Sequence, residues 1–121
     1  MNNPFNVLNP TIAEEISHVP GESLQEQYNN LVRAGDIVVC MKGNAAQPMC
    51  GFSANTVAIL SKYQKTIKTF NILNNPDLRQ AIKDFSGWPT YPQVYFKGKL
   101  LGGNDIMVEM DQNGDLRELL G

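Results

Sequence analysis

The 121-residue chain contains two cysteines, Cys40 and Cys50, and their surroundings assign them different chemistry. Cys50 lies near the end of the run MKGNAAQPMCGFS, from Met41 to Ser53. A buried-strand pattern at Ile37–Met41 feeds a loop, and the loop delivers Cys50 to the start of a helical pattern. Unpaired backbone N–H groups point outward there and the helix dipole is positive, a setting that favours thiolate over thiol. Lys42, at the strand's end, adds a positive charge nearby, and Gly51 leaves room for a partner to approach the sulfur. A thiolate is both a nucleophile and a metal ligand, so this setting suits disulfide exchange and iron binding alike. The plainer reading, an inert small residue at a helix start, stays open on spacing alone. Ser53 stands where a dithiol oxidoreductase would carry a second Cys. A disulfide formed by Cys50 must therefore be resolved by an outside thiol. Cys40 sits inside the apolar strand run and reads as a small core residue.

Composition narrows the remaining classes. Ten Lys and Arg against twelve Asp and Glu leave a formal charge of −2, which is no electrostatic footprint for nucleic acid or an anionic membrane. No apolar stretch approaches the roughly 18 residues that a membrane-spanning helix needs. With 42% apolar and 18% charged residues, the chain has the makeup of one folded domain. Two cysteines are too few for a disulfide scaffold and fit a reducing compartment. Met1 to Pro10 carry no Lys or Arg, unlike a secretory signal or an Arg-rich transit peptide. Residues 1–20, rich in Asn and Pro, read as a loosely held N-terminal extension, with Thr11 and Glu14 placed to cap a short helical turn. Residues 21–121 read as the domain, and the lone His18 has no assigned role.

The elements that must position Cys50 follow from periodicity and punctuation. Ser23 and Glu26 have capping-box spacing, and Leu24, Tyr28, Leu31 and Val32 recur at helical intervals, so a helix is predicted over Ser23–Ala34 with Gly35 as its C-cap. The continuous apolar run Ile37–Met41 predicts a strand covered on both faces. A second helix is predicted from Gly51 to about Tyr63, and a second strand over Ile67–Leu73. Asn75-Pro76 is a helix start, with Leu78, Ile82 and Phe85 as the buried stripe and Gly87 as the stop. Pro92–Phe96 and Leu100–Gly102, joined by the tight turn Lys97-Gly98-Lys99, form a hairpin. Ile106–Met110 and Leu116–Leu120 are helical. The order α-β-α-β-α-β-β-α predicts an α/β domain, a four-stranded mixed sheet flanked by helices on both faces.

Four blocks carry a resemblance: MKGNAAQPMCGFS, and NILNNPDLRQAIKDFSGWPTYPQVYFKGKLLGGNDI with WPTYPQ and GGND inside it. Together and in this order they resemble the CGFS-type monothiol glutaredoxins of the single-domain kind, from about Leu24 to Leu120. That family has a thioredoxin-like fold, which agrees with the element order. The resemblance implies that Cys50 is the active thiol and that a glutathione groove lies beside it. Lys42, with help from Arg79, would pair with the glycine carboxylate of glutathione. Thr90-Tyr91-Pro92 would present a cis-proline bond, so that the Tyr91 backbone pairs with the cysteinyl part. Gly103, Asn104 and Asp105 would hold the γ-glutamyl end. Each has a plainer reading. Lys42 and Arg79 also read as solvated cations, Trp88 as core packing rather than a shaper of the groove, and Pro92 as an edge-strand proline. Gly102-Gly103 also read as only a close-packing turn and Asp105 as only a helix N-terminal charge. Many family members carry a second cysteine where this chain has Asn104, so an internal disulfide between that position and Cys50 is unavailable here.

Two functions compete. The resemblance implies an iron–sulfur carrier, with a [2Fe-2S] cluster held between two protomers by two Cys50 thiolates and two glutathione thiols. In that arrangement Ala45–Met49 set the exposure of the sulfur, Phe52 lines the dimer contact, and iron–sulfur acceptor proteins receive the cluster. The alternative is an oxidoreductase acting on glutathione mixed disulfides, which needs only one protein thiol. Glutathione or a related small thiol is expected as partner in either case, nucleic acid and membrane in neither. The family's single-domain members suggest the mitochondrial matrix, or otherwise the cytoplasm.

Overall fold

The computed structural model describes residues 13–121. The strands are β1 (Ala13–Glu15), β2 (Ile37–Met41), β3 (Ile67–Asn71), β4 (Gln93–Phe96) and β5 (Lys99–Gly102). The helices are α1 (Leu24–Val32), α2 (Gly51–Ser61), α3 (Pro76–Ser86), α4 (Asn104–Gln112) and α5 (Asp115–Leu120), with a 3₁₀ turn at Ile72–Asn74. The sheet runs in the order β1-β3-β2-β4-β5. β1, β3 and β2 are mutually parallel, and β4 and β5 are antiparallel additions. This is the thioredoxin-like class expected, with one strand more than the four predicted.

The extra strand has a physical cause. Ala13-Glu14-Glu15 has no apolar alternation and all three residues are exposed. β1 is held mainly by main-chain pairing to the open edge of β3, with Ala13 opposite Ile67 and Glu15 opposite Thr69. The amide of Ile16 donates to the Thr69 carbonyl at 2.7 Å, and Lys68 pairs with Glu14 at 3.3 Å. Pairing through the backbone leaves little side-chain signature. The helical turn expected at Thr11 and Glu14 is therefore corrected at Glu14, which is in a strand, while Thr11 lies outside the described residues.

β2 divides the core. Its alternate residues Val38 and Cys40 pack with α1 and α3, beside Leu31, Leu78, Ile82 and Tyr95. Ile37, Val39 and Met41 pack on the opposite face with α2, α4 and α5, beside Leu60, Met107 and Leu116. A strand with apolar layers on both sides must read as an uninterrupted apolar run. Helix ends follow their caps. Ser23 and Glu26 form the reciprocal capping box of α1. Asn75 accepts from the Leu78 amide at 3.1 Å with Pro76 opening α3, and Gly87 closes it in the left-handed conformation. Gly35 does not cap α1; the helix stops earlier and Arg33 takes the C-cap. β3 ends at Asn71, short of the predicted Leu73, because the Asn71 side chain accepts from Leu73 N–H and starts the 3₁₀ turn. Likewise α2 ends at Ser61, two residues before Tyr63.

Candidate functional site

Cys50 is the N-cap of α2, in an extended conformation that hands the chain from loop to helix. The loop before it is tied at several points. Met49 N–H donates to the Lys42 carbonyl at 2.9 Å, Gly43 bridges to Pro48, and Gln47 N–H donates to the Asn44 side chain at 2.8 Å. Gly43 N–H donates to Asn71 Oδ1 at 3.0 Å, which fastens the loop to the end of β3. Asn44 Nδ2 donates to Glu15 Oε1 at 3.3 Å, so the end of β1 supports the same loop.

The Cys50 sulfur is partly exposed, and its pKa is held below that of an ordinary thiol. The Ser53 backbone N–H is the largest cause; burial opposes it, and the Phe52 N–H, the Lys42 charge and the Ser53 hydroxyl add in that order. Sγ completes no cap hydrogen bond, so these amides act on it chiefly as aligned dipoles at the helix start. The Ser53 hydroxyl is buried and makes no full hydrogen bond, consistent with its small share. Cys40 is the opposite case. Burial alone pushes its thiol up to about 12.

Cys50 opens onto a groove of about 560 Å³, which also takes in Lys42, Phe52, Arg79, Thr90, Tyr91 and Pro92, with Gly103, Asn104 and Asp105 from the start of α4. The volume lies within the range of small-molecule sites. Of the residues expected at the site, Gly51 alone does not line the groove. It sits at the first position of α2 with open space where a Cβ would stand. The Tyr91–Pro92 peptide bond is cis. The Tyr91 ring is buried and its hydroxyl donates to the Arg79 carbonyl at 2.6 Å, so the loop before β4 is pinned to α3. Gly103, the N-cap of α4, allows a close approach, since a Cβ there would stand 3.1 Å from the Pro92 carbonyl and 3.2 Å from Trp88 Nε1. Asn104 turns its side-chain oxygen to α2, accepting from Asn55 Nδ2 at 2.9 Å and Thr56 Oγ1 at 3.0 Å.

Lys83, Trp88 and Pro89 also line the groove. Lys83 follows Arg79 by four residues and shares its helical face, a spacing that would have flagged it. Among the described residues, no cluster of three or more His, Cys, Asp or Glu side chains could hold a metal ion. Nor is any helix long and apolar enough to cross a membrane.

A partly exposed, acidified sulfur at a helix start, a cis-proline lining the same groove and no partner thiol at Ser53 form one consistent pattern. The glutaredoxin family model matches residues 37–101, more than half of the chain and the part that carries Cys50 and the cis-proline. The chain belongs to the glutaredoxin family. Its relatives place it on the monothiol branch. An uncharacterized monothiol glutaredoxin ycf64-like protein of Synechocystis is 47% identical over 94 residues, which are 78% of this chain and 88% of that protein. The mitochondrial glutaredoxin-related protein 5 of Danio rerio is 47% identical over 97 residues, 79% of this chain and 63% of that protein. The solution structure of reduced poplar apo GrxS14 superposes with a TM-score of 0.71 at 40% identity, covering 81% of this chain and 90% of that one. The chain spans 20% of the length of one Arabidopsis thaliana relative and 91% of the length of one Rickettsia felis relative. In this monothiol glutaredoxin the second cysteine cannot serve Cys50, because Cys40 is fully buried in β2.

Proposed function

We propose that this monothiol glutaredoxin binds glutathione in the groove beside Cys50 and carries a [2Fe-2S] cluster, bridged between two protomers, to iron–sulfur acceptor proteins. The observation that carries the reading is the solitary, partly exposed, acidified sulfur of Cys50 opening onto a groove with two cationic side chains, Lys42 and Arg79. A cluster of this kind needs four ligands, and one chain offers one suitable thiolate. Two chains and two glutathione thiols make the count. Glutathione is an anion with peptide-like amides, suited to cationic side chains and an exposed backbone segment such as that at Tyr91. Asp105 and the N-terminus of α4 suit its amino-acid end. Phe52 and Met49, 62% and 67% exposed on either side of Cys50, give the second protomer an apolar contact.

The test is anaerobic reconstitution with iron, sulfide and glutathione. The expected result is a visible absorption band, a shift from monomer to dimer on gel filtration, and loss of both on omitting glutathione or in Cys50→Ser. A cluster retained by Cys50→Ser refutes the reading. The relationship to a mitochondrial protein of Danio rerio supports the mitochondrial matrix as its place of action, and the cyanobacterial relative supports the cytoplasm as the alternative.

The same sulfur supports a second reading, a monothiol oxidoreductase acting on glutathione mixed disulfides. The Cys50 thiolate would attack the glutathione sulfur of the mixed disulfide, breaking its S–S bond and releasing the other thiolate. A second glutathione thiolate would then attack the Cys50–glutathione disulfide, giving oxidised glutathione and restoring Cys50. The lack of a usable internal thiol is compatible with this route. Brisk turnover of a small mixed disulfide would favour it over the carrier.

A further inference from the structure

The backbone from Trp88 to Pro92 forms one wall of the groove, and among the described residues no turn or cap hydrogen bond joins its backbone groups to other backbone. Side chains hold it instead. The Trp88 amide donates to Ser86 Oγ at 3.0 Å. The Trp88 carbonyl accepts from Gln93 Nε2 at 3.0 Å, and the Thr90 carbonyl accepts from the same nitrogen at 3.3 Å. Gln93 is fully buried at the start of β4, where an amide is kept only if its groups are partnered.

We propose that Gln93 is a positioning residue: its amide sets the shape of the Trp88–Thr90 wall, and the Tyr95 and Tyr28 hydroxyls behind it fix which way that amide points. Both amide hydrogens of Gln93 face carbonyl oxygens, so its own oxygen must face a donor. The Tyr95 hydroxyl supplies one at 3.0 Å. That uses the only Tyr95 proton, so the Tyr28 hydroxyl, 3.0 Å away, donates to Tyr95. The result is a one-way chain of donors from half-buried Tyr28 through the core to the groove wall. Burial keeps Tyr95 protonated by pushing its ionisation far up, so this donor does not switch off. A reversed amide would set oxygen against two carbonyls and leave the Tyr95 proton without its acceptor. The role rests on the proposed glutathione groove for its consequence, but the wall geometry is tested without it.

Trp88 is the single tryptophan of the chain, so its fluorescence reports the wall directly in the whole chain. Gln93→Met removes the donors and keeps the length; Gln93→Glu sets a carboxylate against the two carbonyls. Both are expected to shift the Trp88 emission maximum and raise its quenching by acrylamide. Glutathione affinity by calorimetry is expected to fall about tenfold, the scale of one stranded buried hydrogen-bonding group, and further in Gln93→Glu. Tyr95→Phe should move both readouts the same way by a smaller amount. Leu116→Ala, in the core layer on the other face of the sheet, should lower stability and leave Trp88 emission alone. The inference is overturned if folded Gln93 variants keep wild-type emission and quenching, or if Leu116→Ala shifts them equally. Should neither Gln93 variant fold, Tyr95→Phe decides by the same criteria. Failure of the wild-type protein to bind glutathione would sink the proposed function, while the Trp88 signals would still decide the role of Gln93.

Discussion

Gly43→Ala tests how tightly the loop before Cys50 is built. Gly43 has φ +87, in the region that L side chains rarely adopt, and a Cβ there would stand 2.4 Å from the Gln47 carbonyl and 2.8 Å from the Met49 amide. Both contacts are backbone, so no side-chain rotation relieves them. The left-handed conformation costs about 1–2 kcal/mol for a non-glycine residue, and forced repacking adds about 1–3 kcal/mol. A total loss of about 2–5 kcal/mol is expected by urea denaturation, a large fraction of the roughly 5–15 kcal/mol of a typical domain. The alternative is that the loop opens. It would then release the bridge to Pro48 and the hydrogen bond from Met49 to Lys42, and Cys50 would leave the start of α2. Either way the variant loses something measurable: stability, or the fast alkylation of Cys50 at neutral pH. Gly51→Ala is the matched control. Open space surrounds its Cβ position, so Ala there should cost nothing and raise stability by at most about 1 kcal/mol, the Gly–Ala difference in helix propensity. A Gly43→Ala protein with wild-type stability and wild-type alkylation kinetics would refute the reasoning.

The pH profile of Cys50 alkylation should have its midpoint below that of free cysteine, because the folded environment favours the thiolate. Lys42→Met should move that midpoint upward by removing the charge that favours the thiolate. Cys50→Ser should leave a protein that takes up no iodoacetamide at neutral pH until it is unfolded, since the remaining thiol, Cys40, is buried with its pKa pushed up to about 12. Fast modification of the native variant would contradict that burial. Asn75→Ala should cost about 1 kcal/mol in denaturation by removing the α3 cap to Leu78.

Local signals in the chain were enough for most of the fold. Asn75-Pro76 and Gly87 mark α3 because a cap, a fixed φ and a left-handed exit are requirements of single residues. The β4–β5 turn was legible for the same reason: Lys97 and Gly98 both take positive φ, at 51° and 83°, the pattern of a tight hairpin turn. β1 was not legible, because three exposed residues bound through their backbone leave no pattern in side-chain type. At the site, Cys50, Lys42 and Pro92 stand out by type and spacing, and the structure brings them to one groove. Gln93 was invisible as a functional residue. Its partners include Tyr95, which in turn meets Tyr28, 67 residues away in the chain, and only the packed core shows that a glutamine at that place must reach the groove wall.

Single-thiol chemistry is imposed at three positions by three different means. At Ser53 the place of a second motif cysteine is taken by a fully buried hydroxyl. At Asn104 the side-chain oxygen is occupied by Asn55 and Thr56, so the residue stitches α4 to α2. At Cys40 a thiol exists, but it faces the core layer of α1 and α3 with its ionisation suppressed. Restoring a cysteine at position 104 alone would therefore break the Asn55 and Thr56 contacts as it offered a new thiol. Redox cycling gained by Asn104→Cys should come with a looser α2–α4 contact, read as faster hydrogen exchange at the start of α4. If the substitution leaves exchange there unchanged, the Asn104 stitch is not what holds those two helices in register.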